Sequence, residues 1–339
     1  MKADVPKVSV CMVTYNHERF IAQAIEGVLL QRTAFPIELV IGVDYSTDNT
    51  LIIAQLYAQK YPEIIRLLSA EKNLGAYNNF NRTLKECRGE YLAYCDGDDY
   101  WTDPRKIAMQ AVFLDKHSDY SVCFHNALVH YEQRVCKDHP FYYEPFPPPP
   151  ETTGLNCLLR GNFIQTQTLM VRNYFAEGLP GWMKELPLGD WVITILAARH
   201  GKLRYIDEIM ATYRVHDGGV WTRLPMLEKI ENLLKAAIMI RKNIKFAFSE
   251  CLILNAYIIL KYVAAAQCVA RQGRRKQAAE YYWQMVSGAG NKTINYFLAM
   301  FFLCFKRLMP EGVMLRLFDL WHFVRGRMLP VRGGGRTES

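Results

Sequence analysis

The sequence lacks the features by which secreted, zinc-binding and repeat proteins are recognised. Its nine cysteines are scattered and odd in number, without a CxxC pair or a Cys/His cluster of metal-ligand spacing. That pattern argues against a disulfide scaffold and favours a reducing compartment. No internal repeat is visible, and the first apolar run stops after a few residues at Thr14-Tyr15-Asn16, too short for the core of a signal peptide. We therefore expect a cytoplasmic protein.

An excess of basic charge is also missing from most of the chain. Of 339 residues, 50% are apolar and 22% are charged, which excludes a disordered protein. The formal net charge is +8, but residues 226–339 carry +11 (18 basic, 7 acidic) and residues 1–225 carry −3 (23 basic, 26 acidic). An acidic body with a basic tail is not typical of a uniformly basic nucleic-acid binder, so we expect no nucleic-acid partner.

Short apolar runs alternate with stretches of helical spacing through the first hundred residues. The runs lie at 8–13, 37–43, 64–68 and 90–95, and the helical stretches at about 18–31, 50–60 and 77–87. Strands alternating with helices predict a parallel sheet covered by helices on both faces. Ligands bind such sheets at the carboxyl ends of the strands. Three of those ends are polar, which predicts one site from residues 14–16, 44–48 and 96–99.

The third polar cluster is acidic, with Asp96, Asp98 and Asp99 around Gly97. Three carboxylates within four residues repel one another unless a cation lies among them. Mg²⁺ and Mn²⁺ take oxygen ligands, and Mg²⁺ is usually held by one or two carboxylates and the phosphates of a substrate. The alternative is a solvated acidic turn, since Asp and Gly are common in turns. The position after a strand, opposite two other polar strand ends, favours metal binding.

Together these clusters resemble a known family. The segments 8–16 (Val-Ser-Val-Cys-Met-Val-Thr-Tyr-Asn), 44–50 (Asp-Tyr-Ser-Thr-Asp-Asn-Thr) and 96–99 (Asp-Gly-Asp-Asp) are similar to the opening motifs of family 2 glycosyltransferases. The similarity covers about residues 6–222. It implies an inverting, metal-dependent enzyme that uses nucleotide-sugar donors. It also implies the Rossmann-like GT-A fold, an α/β fold whose mixed, mostly parallel sheet is flanked by helices.

The resemblance assigns the first two segments to the nucleotide. Thr14 and Tyr15 would flank it, with Asn16 in the same donor-binding segment, and Asp44 would contact the base, commonly uracil. The family usually has two adjacent acids at the end of the second strand. Here Val43 precedes Asp44, so only the second acid is retained and the preference for one base is less well defined.

The resemblance also assigns the acidic segment. Asp96 opens the family's DxD motif and belongs to the donor site, Asp98 would lie by the ribose and the metal, and Asp99 by the metal and the diphosphate. The cation would be Mn²⁺ or Mg²⁺. Because a DxD motif serves both donor and metal, the prediction covers Asp98 in both roles.

The segment 73–79 is similar to the family's stretch that closes over the donor. Gly75 would allow a close approach of the backbone, and Asn78 would contact the donor. Asn78 or Asn79, taken alone, is equally well explained as the N-cap of the following helix. Both interpretations stay open at this point.

Transfer of a sugar to a hydroxyl needs a base at the hydroxyl proton. Asp190 begins a predicted helix over 188–200, where the helix dipole favours the ionised carboxylate. A plain helix cap is the alternative. The family has an acid here, usually as Glu-Asp, and Gly189 replaces the first member; we predict Asp190 as the base. Trp191 suits an acceptor pocket or the core, and the core is favoured.

The segment 211–221 also resembles a recurring part of the family. The resemblance implies that His216 approaches the metal or the diphosphate. Arg214 is predicted near the phosphates, because a guanidinium group matches phosphate geometry. A lone histidine is ordinarily structural, but Gly218 and Gly219 predict a mobile loop that closes over the donor.

The sequence predicts two domains and a tail. A GT-A catalytic domain is expected over 1–224, divided into donor and acceptor halves near residue 100, with a further strand at 163–172. A helical, basic region is expected over 225–330, and a disordered tail over 331–339.

The basic region contains one long apolar stretch. Cys251–Ala270 is apolar at 17 of 20 positions, but Lys261 falls at its centre. Insertion of a lysine at the centre of a membrane-spanning helix costs about 2.5–3.5 kcal/mol of free energy. A buried core helix is therefore favoured. Residues 293–330 mix apolar bulk with arginines, which predicts peripheral contact with an anionic membrane at the inner face of the cell. The alternative is a helical cap on the catalytic domain with a solvated basic face.

These features favour a bacterial glycosyltransferase of surface polysaccharide biosynthesis. It would move a sugar from a nucleoside-diphosphate sugar, with UDP favoured, to a hydroxyl of a saccharide or lipid-linked acceptor. One rival is a GT-A-type nucleotidyltransferase, which usually has a Gly-rich loop after the first strand, where this chain has Thr14-Tyr-Asn-His17. The second rival is a non-catalytic binding protein on the same fold, which loss of the metal acids would support; the acids are present.

Overall fold

The computed structural model describes residues 5–132, 138–141, 148–186 and 189–288. In this part of the chain the strands are β1 (Val8–Thr14), β2 (Ile37–Val43), β3 (Ile65–Ser69), β4 (Tyr91–Tyr94), β5 (Tyr100–Trp101), β6 (Tyr120–Tyr131), β7 (His139–Pro140), β8 (Thr152–Thr153), β9 (Met170–Arg172) and β10 (Lys202–Val215). The helices are α1 (Ile21–Leu29), α2 (Thr50–Lys60), α3 (Ala76–Lys85), α4 (Lys106–Lys116), α5 (Leu155–Leu158), α6 (Asp190–Ala198), α7 (Met226–Asn243), α8 (Phe248–Arg271) and α9 (Arg275–Gly288). Two 3-10 turns occupy Thr166–Thr168 and Gly181–Glu185.

One half of the sheet is parallel, in the order β3-β2-β1-β4. Val10 and Met12 of β1 and Leu39 and Ile41 of β2 are completely buried. Helices cover both faces of these strands, and a strand buried on both faces is a continuous apolar run rather than an alternating one. The parallel sheet predicted from the sequence is confirmed, and its strand ends bring the three polar clusters to one edge.

The other half of the sheet is mixed. β9 lies antiparallel between β4 and β6, β10 is parallel to β6, and β5 is antiparallel to β10. Because β5 follows the acidic turn directly, its pairing brings the end of β10 beside that turn. The strand predicted at 163–172 is wrong in part, since only Met170–Arg172 forms a strand. The Thr168 hydroxyl donates to the Gln165 carbonyl at 2.7 Å, a local bond that favours the 3-10 turn there.

One compact unit ends at Lys261 and a second begins at Tyr262, a division that falls within α8. Of the helices described, α8 alone is long and apolar enough to cross a membrane by length and composition, which is weak evidence on its own. Half of its apolar window is buried in the protein, in keeping with the predicted core helix. The boundary near 224 stays a prediction, and residues 293–339, with their predicted membrane contact and disorder, lie outside the described residues.

Candidate active site

Asp44 follows β2 and is buried at the strand ends. Its Oδ1 accepts the Leu74 N–H at 2.6 Å and its Oδ2 accepts the Gly75 N–H at 3.0 Å. Gly75 has φ 79°, a backbone conformation that glycine adopts without strain. The carboxylate therefore holds the loop before α3 against β2. A carboxylate has about four acceptor sites, so capacity for a ligand remains, and the predicted contact with a base stays a prediction.

Asn16 joins the loops that follow β1 and β2. Its N–H donates to Ser46 Oγ at 3.1 Å, and its Oδ1 accepts the Thr47 N–H at 2.8 Å. Its φ is 55°, a left-handed conformation that asparagine tolerates. Asn16 thus has a structural task besides any donor contact. Tyr15 and Tyr45 beside it are 45% and 51% exposed, so both rings are open to a ligand.

Neither asparagine of the α3 segment caps the helix. The helix begins at Ala76 with Gly75 as the preceding residue. Asn78 Nδ2 donates to the Leu74 carbonyl at 2.7 Å, and Asn79 Nδ2 donates to the Gly42 carbonyl at 2.8 Å. The N-cap alternative is therefore wrong, because the chain turns into the helix at a glycine. Asn78 steadies the same loop that Asp44 holds.

The acidic turn after β4 is packed against the end of β1. A Cβ added at Gly97 would lie 2.5 Å from Thr14 Oγ1, so only glycine fits there. Asp98 Oδ2 lies 3.2 Å from His216 Nε2 and 3.7 Å from His17 Nε2. His216, predicted on the metal side, thus reaches the DxD motif from the end of β10.

Burial and crowding change the acidity of this turn. Burial raises the pKa of Asp96 to about 8, and the charges of Asp98 and Asp190 add to the effect. Burial alone would raise the pKa of Asp98 as well. The hydrogen bond from His216 and the nearby His17 outweigh burial, so the pKa of Asp98 lies below its usual range. Asp98 is thus the carboxylate of the turn that stays ionised most readily.

Asp99 and Arg214 are bound to each other and to their surroundings. Asp99 is 5% exposed and its Oδ1 accepts the Arg214 backbone N–H at 2.8 Å. Burial, with the charge of Asp98, raises the pKa of Asp99 well above its usual range. The Arg214 guanidinium donates to the Asp98 carbonyl, to Gln23 and to Glu132. These protein acceptors already engage the N–H groups of the guanidinium. The contact of Arg214 with phosphates therefore stays a prediction.

Asp190 is the first residue of α6. Its Oδ2 accepts a hydrogen bond from Asn162 Nδ2 at 2.8 Å. Burial raises the pKa of Asp190, although hydrogen bonds from the Trp191 backbone, Asn162 and Thr166 oppose it. The Trp191 side chain itself is completely buried, and its Nε1–H donates to the Leu158 carbonyl at 2.8 Å. Trp191 packs in the core, as the sequence analysis favours, and does not line a pocket.

The oxygen atoms of the acidic turn suit a hard divalent cation whose remaining coordination positions are filled by a bound phosphate or water. Among the residues described, no group of three or more His, Cys, Asp or Glu side chains is arranged to hold a metal ion. Mg²⁺, however, usually takes one or two carboxylates and fills its remaining positions with phosphates and water. Asp98, with His216 beside it, offers that kind of partial site. A cation would also offset the carboxylate charges that, together with burial as the larger cause, raise the pKa of Asp96.

Three residues near the site lie outside the sequence motifs: His17, Asn162 and Glu132. His17 directly follows Thr14-Tyr15-Asn16, so its place near the strand ends was predictable from proximity alone. Asn162 and Glu132 come from segments without a motif, and only the folded chain brings them to Asp190 and Arg214. A pairing of such distant residues leaves no periodicity or spacing to detect.

Comparison with known proteins decides the family. Residues 9–179 match the family described as glycosyl transferase family 2. The chain belongs to that family. This family 2 chain is 39% identical over 219 residues to an uncharacterised protein of Mycobacterium tuberculosis, covering 63% of this chain and 60% of that protein. The chain thus matches about three fifths of the length of that relative.

Two solved structures resemble this family 2 chain in fold. Staphylococcus aureus TarS 1–349 in complex with UDP-GlcNAc has a TM-score of 0.58 at 19% identity, covering 81% of this chain and 80% of that one. The mannosyltransferase PcManGT from Pyrobaculum calidifontis, in complex with GDP-Man and Mn²⁺, has a TM-score of 0.56 at 16% identity, covering 94% and 82%. At these identities the likeness establishes the fold alone, and the predicted GT-A architecture is confirmed.

Proposed function

We propose that the chain is an inverting glycosyltransferase. It moves a sugar from a nucleoside-diphosphate sugar, with UDP favoured, to a hydroxyl of a saccharide or lipid-linked acceptor in surface polysaccharide biosynthesis. Family membership supports the transferase chemistry. One observation carries the proposal for this site: burial and the charge of Asp98 raise the pKa of Asp96, and the charge of Asp190 adds to the effect although it lies in a distant segment of the chain. This supports placing the candidate base and the DxD acids in one site.

The surroundings of Tyr213 support the same proposal. Burial raises the pKa of Tyr213 to about 12, and the charges of Asp99, Asp98 and Asp190 contribute. A side chain on β10 thus lies near all three carboxyls at once. The reacting sugar would bind in this neighbourhood, between the acidic turn and α6.

The donor side would bind the nucleotide sugar. The proposed donor contacts are Thr14, Tyr15, Asn16, Asp44, Gly75, Asn78, Asp96 and Asp98. Asp98, Asp99 and His216 would hold Mn²⁺ or Mg²⁺, which when bound supplies positive charge for the departing diphosphate. The Mn²⁺ in the mannosyltransferase of similar fold supports a divalent cation here. That neighbour binds GDP-Man and TarS binds UDP-GlcNAc, so the base is a matter for experiment.

The acceptor side would carry out the proton transfer. Asp190 takes the proton of the acceptor hydroxyl as that oxygen bonds to the anomeric carbon, and the bond from this carbon to the diphosphate oxygen breaks on the opposite face. The configuration at carbon is thereby inverted. A buried carboxylate with a raised pKa is a stronger base than an exposed one, and Asn162 keeps it oriented.

The test is a donor screen that measures release of nucleoside diphosphate from UDP-, GDP- and dTDP-sugars, each with Mn²⁺ and with EDTA. We expect release from a UDP-sugar that requires the cation. Release from a GDP- or dTDP-sugar alone would correct the nucleotide while leaving the transferase proposal in place. No metal-dependent release from any of the donors would contradict it.

Association of the protein with the cell membrane remains a prediction from the sequence. Peripheral contact with the inner face of the cell membrane through residues 293–330 would bring the site to a lipid-linked acceptor. This contact concerns residues outside the described chain. Sedimentation of the full chain with anionic vesicles, compared with a chain that ends at 288, would test it.

A further inference from the structure

Arg214 lies at the end of β10 with its guanidinium group directed at three protein acceptors. Its Nε–H donates to the Asp98 backbone carbonyl at 2.8 Å. One terminal nitrogen donates to Gln23 Oε1 at 2.7 Å, and the other donates to Glu132 Oε1. Planar N–H groups in a fixed fork are suited to holding several acceptors in one orientation.

The guanidinium group is also enclosed. Its central carbon lies 4.7 Å from the centre of the Phe20 ring and 4.8 Å from that of Tyr100. Aromatic faces attract a cation at such distances and keep it planar against them. Arg214 is 7% exposed as a result. A side chain held between two rings and three acceptors would have to leave all of them to reach a phosphate.

The end of β10 makes three contacts with the acidic turn. Besides the bond to the Asp98 carbonyl, the Arg214 backbone N–H donates to Asp99 Oδ1 at 2.8 Å. His216, two residues along, lies 3.2 Å from Asp98 Oδ2. These contacts fix both the backbone and the carboxylates of the turn. Arg214 thus holds the backbone that carries the Asp98 side chain, and His216 contacts the carboxylate.

Glu132 supplies the negative charge that holds Arg214 in place. Its own N–H donates to the Val215 carbonyl at 3.0 Å, which attaches it to β10. Arg19 and His130 lie at 3.8 and 3.5 Å from its carboxylate. Without this carboxylate the guanidinium would be free to turn towards the carboxylates of Asp98 and Asp99 and to compete there with a cation.

We propose that Arg214 is a positioning residue, seated by Glu132 and Gln23, that orients the Asp98 carboxylate for a divalent cation rather than contacting the donor phosphates. The inference rests on the proposed function only in that Asp98 binds the cation. It assigns a role to Glu132 and Gln23, to which no motif points.

The test measures Mn²⁺ binding directly, from the electron paramagnetic resonance signal of free Mn²⁺, with and without UDP. The variants are Arg214→Lys, which keeps the charge and loses the fork, and Glu132→Gln, which keeps the shape and loses the charge. Both are expected to weaken Mn²⁺ binding about tenfold or more, the usual effect of removing a group that orients a metal ligand. A lysine still binds phosphate well, so a phosphate role predicts nearly unchanged Mn²⁺ binding in Arg214→Lys.

Arg172→Lys is the matched control. Arg172 Nε–H donates to the Tyr120 carbonyl at 2.8 Å and a terminal N–H donates to the Leu114 carbonyl at 2.7 Å, so it is a similar structural arginine away from the turn. Mn²⁺ binding within about twofold of wild type is expected there, at a comparable loss of melting temperature. Wild-type Mn²⁺ affinity in both Arg214→Lys and Glu132→Gln would overturn the inference. Absence of Mn²⁺ binding in the wild type would instead overturn the proposed metal site and the inference with it.

Discussion

The two sides of the candidate site are built in different ways. On the proposed donor side, the ends of β1, β2 and β4 lie next to one another because the strands are parallel and adjacent. On the acceptor side, Asp190 begins α6 and takes its hydrogen bond from Asn162, in a segment without regular structure. The first side follows from strand order, and the second from long-range packing. Substitutions should therefore separate donor binding from the rate of transfer.

The largest effect is expected from Asp190→Asn. An amide cannot accept the proton of the acceptor hydroxyl, so kcat should fall by about 10²–10⁴-fold, while KM for the donor stays near the wild-type value. Steady-state release of nucleoside diphosphate gives both constants. Asp119→Asn is the control, because Asp119 forms an exposed ion pair with Lys202 at 2.8 Å. A near-normal kcat in Asp190→Asn would remove Asp190 from this role.

A smaller effect is expected from Asn162→Ala on the same side. Loss of a hydrogen bond to a charged group corresponds to about a tenfold fall in kcat. The Asn162 bond lowers the pKa of Asp190 against burial, so without it this pKa rises. The base works only when deprotonated, and the acidic limb of the pH–rate profile should move to higher pH.

Asn173→Ala is the matched control for that prediction. Asn173 Nδ2 donates to the Gly89 carbonyl at 2.9 Å and its Oδ1 accepts the Phe175 N–H at 3.1 Å, much as Asn162 bonds Asp190 and the Ile164 N–H. It should leave the pH profile unchanged. Equal profiles for wild type and Asn162→Ala would show that Asn162 does not orient the base.

The smallest effect is expected on the donor side, from Asp44→Asn. The amide offers an N–H where the carboxylate accepted one from Leu74 or Gly75, so the loop before α3 is loosened. We expect KM for the donor to rise about fivefold with little change in kcat. A fivefold rise corresponds to the net free energy of one hydrogen bond. Asp115→Asn is the control, since Asp115 accepts from Lys7 and Tyr91 at 2.8 Å in another part of the sheet. A fall in kcat with an unchanged KM for the donor would contradict the separation of donor binding from the rate of transfer.

The parallel half of the fold was predictable because its signals are local. Each central strand is one continuous apolar run, and each polar cluster follows directly on a strand, so Asp44 and Asp98 could be assigned to one edge from spacing. The core role of Trp191 also follows from its place in an apolar helix.

The mixed half was less predictable because its contacts are distant in sequence. In the strand predicted at 163–172, Thr166–Thr168 forms a 3-10 turn with a side-chain bond from Thr168, which apolar content does not reveal. The N-cap alternative for Asn78 failed because Gly75 precedes the helix. The surroundings of Arg214 depend on Glu132 and Gln23, which only the pairing of β6 with β10 and the packing of α1 bring together.

The most direct test of the division between the two sides is calorimetric titration of UDP, in the presence of Mn²⁺, into Asp190→Asn and Asp98→Asn. Neither measurement needs the acceptor. We expect wild-type affinity for Asp190→Asn and loss of the Mn²⁺-dependent part of the affinity for Asp98→Asn. Loss of binding in Asp190→Asn, or unchanged Mn²⁺-dependent binding in Asp98→Asn, would contradict it.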